Sequence, residues 1–501
     1  MTPPEPTPDK AAVSPWPMRY ANGLILAAIV FAAVCRLAQY LARISFWHDE
    51  AYVVLNVLHR GYGQLLGALD LGQTAPPAFL WGLKTSASLL GANELGFRLV
   101  PVLGSILALP LFWLLARRVL TPMGVVLAVA MFCLSPKLLE HTAEVKQYST
   151  DVLAAVLLTL LATAHFVPPC LRASIPLDAA TPCHAIPRLA LLALAAAVLF
   201  WLAETSVFVF AGLALALAPA VFRSARFGWL AYLVCLAVAG ASFLALYKLS
   251  IKPQSVPLLY SYWADYMANW HRWYRLPVWA VARLFWVANY AYDPLGFLVL
   301  PLAVFGAVSL HRQGKGLSLA ILALPIAVVF LAACADRYPM GKRVTLFLTP
   351  AVLLLAAAGA TALADMLPAR ARRAWPLAPA VLLAPALGIA LWHLAIPRQE
   401  SHLRPAVEFL HANRAADEDI FVVGNNSRAI FQVYWQAPDK RISYSVDLPA
   451  SVAAKRFWVV FEFDPSQGMR KRLPSLQRAR AIAAEQKSFV GTGGAAYLFV
   501  K

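Results

Sequence analysis

The chain has 501 residues, of which 60% are hydrophobic and only 14% charged, with a mean hydropathy of +0.64. No water-soluble domain of that size tolerates so much apolar surface, so composition excludes a soluble enzyme and requires a polytopic membrane protein. The net charge of +18 does not imply nucleic acid, because many Lys and Arg sit in short links between apolar runs, as the positive-inside rule demands.

Residues 1–20 form a polar, Pro-rich cytoplasmic tail, and the run from Ala21 to Ala42 lacks a small-residue cleavage site, so it is expected to stay as an anchor. Runs of spanning length follow at Phe97 to Ala116, Pro122 to Leu138, Asp151 to Val167, Arg188 to Leu202, Ser206 to Phe222 and Gly228 to Ser250. Four more lie at Pro294 to Leu310, Leu317 to Cys334, Thr345 to Ala364 and Trp375 to Ile396, for about eleven in all. Pro76 to Gly91 is apolar but short and carries Lys84. If it does not cross, Lys10, Arg19, Arg117, Arg118, Arg172, Arg188, Arg223, Arg226, Arg312, Lys315, Arg370, Arg372 and Arg373 all fall on one side, the cytoplasmic one. Counting it as a span breaks that rule, so it is read as an interfacial helix in the first outer loop.

From residue 397 to 501 charge density rises. Helix-like stretches (Arg404 to Arg414, Gln467 to Glu485) alternate with strand-like ones (Asp419 to Val423, Arg456 to Phe463, Ala495 to Val500). The expected architecture is therefore mainly α: a transmembrane helical bundle over residues 21–396, followed by a small extracytoplasmic α/β domain. The six cysteines show no metal-ligand spacing.

Chemistry concentrates in the outer links. Trp47-His48-Asp49-Glu50-Ala51-Tyr52 places two carboxylates where hydrocarbon gives way to water, either as an interfacial helix start or as a catalytic pair. His141 to Asp151, with Glu144, Lys146 and Tyr148, carries more polar groups than helix capping needs. Asp336 to Arg343 puts Arg337, Lys342 and Arg343 on the outer face against the charge rule, which suggests an anion to bind, beside the alternative of lipid headgroups. The aromatic segment Tyr260 to Tyr274 reads first as an interfacial helix and second as a sugar or lipid cover.

Taken in order, Phe46 to Tyr52, Pro76-Pro77 with Trp81, Phe97-Arg98-Leu99-Val100-Pro101, Ser135-Pro136 with Glu144 to Tyr148, and Arg337-Tyr338-Pro339 with Lys342-Arg343 resemble the GT-C membrane glycosyltransferases. The similar branch is the bacterial protein O-mannosyltransferase and aminoarabinose-transferase group. The resemblance implies transfer, with inversion, of a sugar from a polyprenyl-phosphate to an extracytoplasmic lipid, glycan or protein. It also implies a bacterial inner membrane, with the tail domain periplasmic.

Under that resemblance Asp49 is the general base, its pKa adjusted by Glu50 and partial desolvation, while Glu144 or Asp151 orients the acceptor or sugar. His48, Tyr52, Lys146, Tyr148, Arg337, Tyr338, Lys342 and Arg343 line the substrate site, the three cations Arg337, Lys342 and Arg343 neutralising the lipid phosphate. The aminoarabinose branch carries Glu-Lys before its Pro-Pro where Thr74 and Ala75 stand here, so phosphate contact falls to Lys146 or to Lys342 and Arg343. No cofactor is required; a divalent cation could bridge carboxylates and phosphate, but no ligand pattern calls for one. The rival class, a transporter or flippase, predicts ionisable groups at mid-span, and those regions are almost free of charge.

Overall fold

The computed structural model describes residues 18–167, 185–224, 228–255, 257–368, 377–436, 439–463 and 473–501. The basic positions Lys10, Arg172, Arg226, Arg370, Arg372 and Arg373 lie outside them. The first half of the chain runs through α1 (Met18–Leu41), α2 (His48–His59), α3 (Pro77–Leu90), α4 (Glu94–Val119), α5 (Pro122–Leu134), α6 (Pro136–Glu140), α7 (Tyr148–Phe166), α8 (Ala185–Leu202), α9 (Ser206–Ser224) and α10 (Gly228–Leu246).

Among the described residues, five helices are long and apolar enough to cross a bilayer: Tyr20–Leu41, Glu94–Val119, Gly228–Gln254, Gly316–Cys334 and Lys342–Met366. The pair Tyr260–Ala291 and Gly296–Arg312 is bent by 109°, and five shorter apolar helices stand at the other expected positions. The chain is a multi-pass membrane protein. Helix α3 has 14 residues, starts with Pro77 in its first turn and stops at Gly91, whose φ of 91° only glycine adopts freely. It lies between the outer ends of α2 and α4.

Within the bundle, Gly296–Arg312 and Thr349–Met366 cross at backbone contact. A Cβ on Gly306 would sit 1.9 Å from the Leu355 carbonyl oxygen, and one on Gly359 1.9 Å from that of Leu302. Small residues on facing turns bring two helices this close where no hydrophobic effect drives them together.

The tail is a five-stranded mixed sheet in the order β2-β1-β3-β5-β4, with β1 (Asp419–Val423), β2 (Ile442–Ser445), β3 (Arg456–Glu462), β4 (Ala484–Val490) and β5 (Gly494–Val500). β1 pairs in parallel with β2 and β3, while β5 pairs antiparallel with β3 and β4. Three expected strands are present. The helix expected at Gln467 to Glu485 is corrected: within the described residues it covers Leu473–Ile482, after which the chain turns into β4. β4 is an edge strand, almost wholly exposed, so it needs no apolar alternation and leaves no strand signal.

The sheet domain does not hang free. Helices Arg404–Asn413 and Asn425–Tyr434 pack with α2, α3 and Phe97 in one hydrophobic core that includes Phe46, Val53, Phe79, Leu410 and Phe431. Around it, Tyr434 Oη donates to Glu94 Oε1 at 2.7 Å and accepts from the Phe46 amide at 2.8 Å.

Gly359→Val is expected to force the crossing helices apart at a cost of about 1–3 kcal/mol and to lower the melting temperature in detergent. Gly23→Val, with nothing within 4 Å of the added Cβ, serves as the neutral control.

Candidate active site

Every segment of the site leaves the bundle at one end: the α1–α2 link, the first turn of α4, residues 140–151, the α8–α9 turn, residues 254–290 and the link 335–343. Helix α2 begins at His48 because Glu50, in its first turn, reaches back to the Trp47 amide at 3.3 Å and because Asp49 and Glu50 complement the helix dipole.

Glu50 does more than cap. Arg98 of α4 donates to it from Nε at 2.9 Å and from Nη2 at 2.6 Å, and the Val145 amide donates to its Oε1 at 2.9 Å. Arg98 also donates to the Ile44 and Ser45 carbonyls. Rather than adjusting Asp49, Glu50 is committed to a buried ion pair that ties three segments together.

Asp49 lies between two cations. Lys146 Nζ donates to its Oδ1 at 2.9 Å, and Arg343 Nη2 stands 2.8 Å from its Oδ2. Lys146 also donates to Gln73 Oε1 at 2.6 Å. The Arg343 guanidinium stacks over the rings of Trp47 and Tyr148 at 5.7 and 5.8 Å, presented by Lys342, whose φ of 52° is a strained left-handed turn for a side-chain-bearing residue. Burial raises the Asp49 carboxyl, but Lys146 and Arg343 lower it by more, to about 2. The carboxylate is ionised and, while both cations hold it, a weak base.

Two cavities lie near this cluster: Arg343 borders the first, and its neighbour Val344 and Gln147 border the second. The first, ≈ 280 Å³, is bordered by Glu140, His141, Glu144, Tyr290, Lys342 and Arg343 among others. In it Glu144 Oε2 and His141 Nδ1 are 2.5 Å apart, and His141 Nε2 is 2.7 Å from Tyr290 Oη. The second, ≈ 200 Å³, is bordered by Gln147, Asp151, Glu204, Thr205, Arg337 and Tyr338. Trp263 borders both. Among the described residues no three His, Cys, Asp or Glu side chains converge on a metal position.

The expected site residues therefore separate. Asp49, Lys146, Tyr148 and Arg343 meet at the ion cluster; Glu144 faces the first cavity and Asp151 the second. Lys342 packs over the Tyr266 ring at 5.2 Å, Arg337 is exposed at the second cavity, and Tyr338 donates to the Val344 carbonyl at 2.7 Å. Of the expected trio, Lys342 and Arg343 border the first cavity and Arg337 the second. His48 packs between Trp47 and Tyr52, with burial lowering its pKa, and Tyr52 reaches Asn426 of the tail at 3.5 Å.

Sequence reasoning missed Gln73, His141, Glu204 and Tyr290 as site residues. Glu204 had a readable signal, a lone acid in a short outer turn between two apolar runs. Gln73 had none.

Residues 74–168 match the sequence profile of the family described as dolichyl-phosphate-mannose-protein mannosyltransferase. A comparison with curated protein sequences returns no match. The structure is similar to that of apo ArnT from Cupriavidus metallidurans, with a TM-score of 0.53 and 12% identity over 96% of this chain and 98% of that one. This protein shares the fold of that ArnT. The structure of the same ArnT bound to undecaprenyl phosphate gives a TM-score of 0.52 with 13% identity, covering 94% of this chain and 97% of that one. The apo oligosaccharyltransferase of Archaeoglobus fulgidus is similar with a TM-score of 0.51 and 10% identity, over 94% of this chain and 74% of that one.

Arg98→Ala leaves Glu50 buried without its cation and is expected to cost about 3–5 kcal/mol. Arg98→Lys is expected to restore only part of this, since a point charge cannot replace the two-armed contact. Thermal unfolding of the two variants in the same detergent measures both.

Proposed function

We propose that the protein is a membrane glycosyltransferase that moves a sugar from a polyprenyl-phosphate donor to an acceptor on the extracytoplasmic side, with Asp49 as the general base. The observation that carries this reading is the Lys146–Asp49–Arg343 cluster, whose Arg343 borders the first cavity. Two cations converging on one carboxylate leave a surplus positive charge at an outer-facing cleft, which suits a lipid phosphate. ArnT has been crystallised with undecaprenyl phosphate, which supports a ligand of that class here.

In the ligand-free protein the cations suppress the basicity of Asp49. A donor phosphate engaging Lys146 and Arg343 shares their charge and adds its own negative charge nearby, so the Asp49 pKa rises as the donor binds. The acceptor hydroxyl then attacks the anomeric carbon from the face opposite the phosphate. Its proton passes to Asp49, the bond between the anomeric carbon and the phosphate oxygen breaks, and the electron pair leaves with the polyprenyl phosphate. One displacement inverts the anomeric centre. Lys146 and Arg343 stabilise the charge that accumulates on the departing phosphate, so the scheme requires no metal ion.

Orientation follows from the basic links. Arg117, Arg118, Arg312 and Lys315 lie at the bundle end opposite the site, which supports a cytoplasmic placement for them and a periplasmic one for the site and the tail domain. A bacterial inner membrane is the proposed location.

The test is transfer of labelled sugar from extracted polyprenyl-phosphate sugars by membranes carrying the protein. Asp49→Asn is expected to lower the rate by at least ~100-fold, the usual contribution of a general base, and Lys146→Met to raise the donor KM. Wild-type rates in Asp49→Asn membranes would overturn the assignment of the base.

A further inference from the structure

The tail sheet has two edge strands, and they are not alike. β4 carries Glu485 and Lys487, and its pairing with β5 shifts register between them. Charge and a bulge are the usual devices by which an edge refuses a further strand. β2 has neither. Ile442-Ser443-Tyr444-Ser445, with Val446 beyond, is uncharged and alternates apolar with polar, and its register with β1 is unbroken.

That register fixes which side of β2 is free. The Ile420 amide donates to the Arg441 carbonyl at 2.9 Å, and the Gly424 amide to that of Ser445 at 2.8 Å. In a parallel pair alternate residues serve one neighbour, so Arg441, Ser443 and Ser445 turn to β1 while Ile442 and Tyr444 turn away. The Ile442 amide is taken by the Asp439 carbonyl at 3.3 Å. The Ile442 carbonyl and both backbone groups of Tyr444 have no partner among the described residues.

Ile442 and Tyr444 border a cleft of ≈ 1050 Å³ that also takes in Leu55 and Leu58 of α2 and Leu71. Leu71 is 53% exposed and held at a left-handed φ of 62°. Its wall is braced: the Asn56 side chain exchanges two hydrogen bonds with the Asp70 backbone at 2.8 and 3.2 Å, and Arg60 pairs with Asp70 at 2.8 Å. Leu55 belongs to the core that joins α2 to the tail helices, and Leu58, Ile442 and Tyr444 pack against it. The cleft therefore extends an interface by which the protein already binds one of its own domains.

A charged ligand or a sugar finds little here. Asp70 and Asp439 are already paired, the latter with Arg414 at 2.5 Å. Trp435 is 9% exposed and stacked on His411 at 3.9 Å, and Arg428 lies over the Tyr444 ring at 5.2 Å, so ring faces a sugar needs are taken. An extended polypeptide uses what is free, the backbone edge of β2 for its main chain and the leucines for alternate side chains.

We infer that β2 and this cleft dock an extended polypeptide segment of a second protein, which joins the sheet as a sixth strand beside β2. Leu71 stands two residues from Gln73, which accepts from Lys146, so a protein docked here is held close to the ion cluster. The inference does not depend on the transferase reading.

The experiment selects displayed random eight-residue peptides on the full-length protein in nanodiscs and measures their affinity by fluorescence polarisation. Binders are expected. Tyr444→Pro removes an outward amide and keeps the bonds to β1, and it is expected to weaken binding ~tenfold, the loss of one or two net hydrogen bonds. Ile442→Lys supplies the edge charge that β2 lacks and is expected to do the same while leaving the backbone intact. Methylation of alternate peptide nitrogens tests the main-chain bonds without altering the protein: one alternating set is expected to abolish binding and the other to preserve it. The inference is overturned if selection yields no peptide, if both variants bind as the wild type does, or if both methylated sets bind unchanged. It is also overturned if mannose oligosaccharides bind in an Ile442-dependent way and peptides do not. Ile442-dependent pairing of two copies, read from the mass of the protein in detergent, would assign the edge to self-association and overturn it as well.

Discussion

A carboxylate and a guanidinium buried side by side, Glu50 and Arg98, hold the site end of this protein in register. Both are within 5% of full burial, and taking two charges out of water is costly enough that such a pair seldom adds net stability. What it supplies is position. Glu50 accepts from both arms of Arg98 and from the Val145 and Trp47 amides. Asp49 precedes Glu50 and Lys146 follows Val145, so the Asp49–Lys146 contact is set one residue away from the anchor on each side.

The arrangement of charge around Asp49 follows the same economy. A lone carboxylate at a membrane mouth would be partly solvated and only modestly shifted, whereas Lys146 and Arg343 keep it ionised and hold two cations in place before any ligand arrives. Holding unlike charges together costs little and leaves them ready for exchange. In the proposed reaction the donor phosphate takes over the cations, and the basicity of Asp49 rises at the moment an acceptor must be deprotonated. The rigid rings of Trp47 and Tyr148 beneath Arg343 limit where its guanidinium can go.

The tail domain is part of this construction. Ser45 Oγ lies 2.6 Å from His402 Nδ1, Arg404 donates to Glu94 Oε1 at 2.7 Å, and the apolar faces of α2 and α3 share their core with the tail helices. An interfacial loop of two short helices has too little apolar surface to fold alone. Packed between the bundle and the sheet domain, it becomes a fixed platform for Asp49 and Gln73.

Much of the architecture was legible without coordinates. Bilayer thickness imposes a length on each span and hydrocarbon excludes charge, so the apolar helices follow from local composition. The same logic located the outer links that carry Asp49, Lys146 and Arg343. Local composition could not reveal partners. The contacts of Glu50 with Arg98 and of Asp49 with Lys146 join residues 48 and 97 positions apart, and nothing in hydropathy or spacing distinguishes an acid that anchors from its neighbour that faces the cleft. Nor could it assign Lys342 and Arg343 to one cavity and Arg337 to the other. Edge strand β4 was hidden for a related reason: solvent exposure is a property of packing. The sequence by itself determined where charge may lie relative to the membrane, because transfer into hydrocarbon is a property of each residue; only the tertiary structure decided which charges meet, because pairing is a property of two.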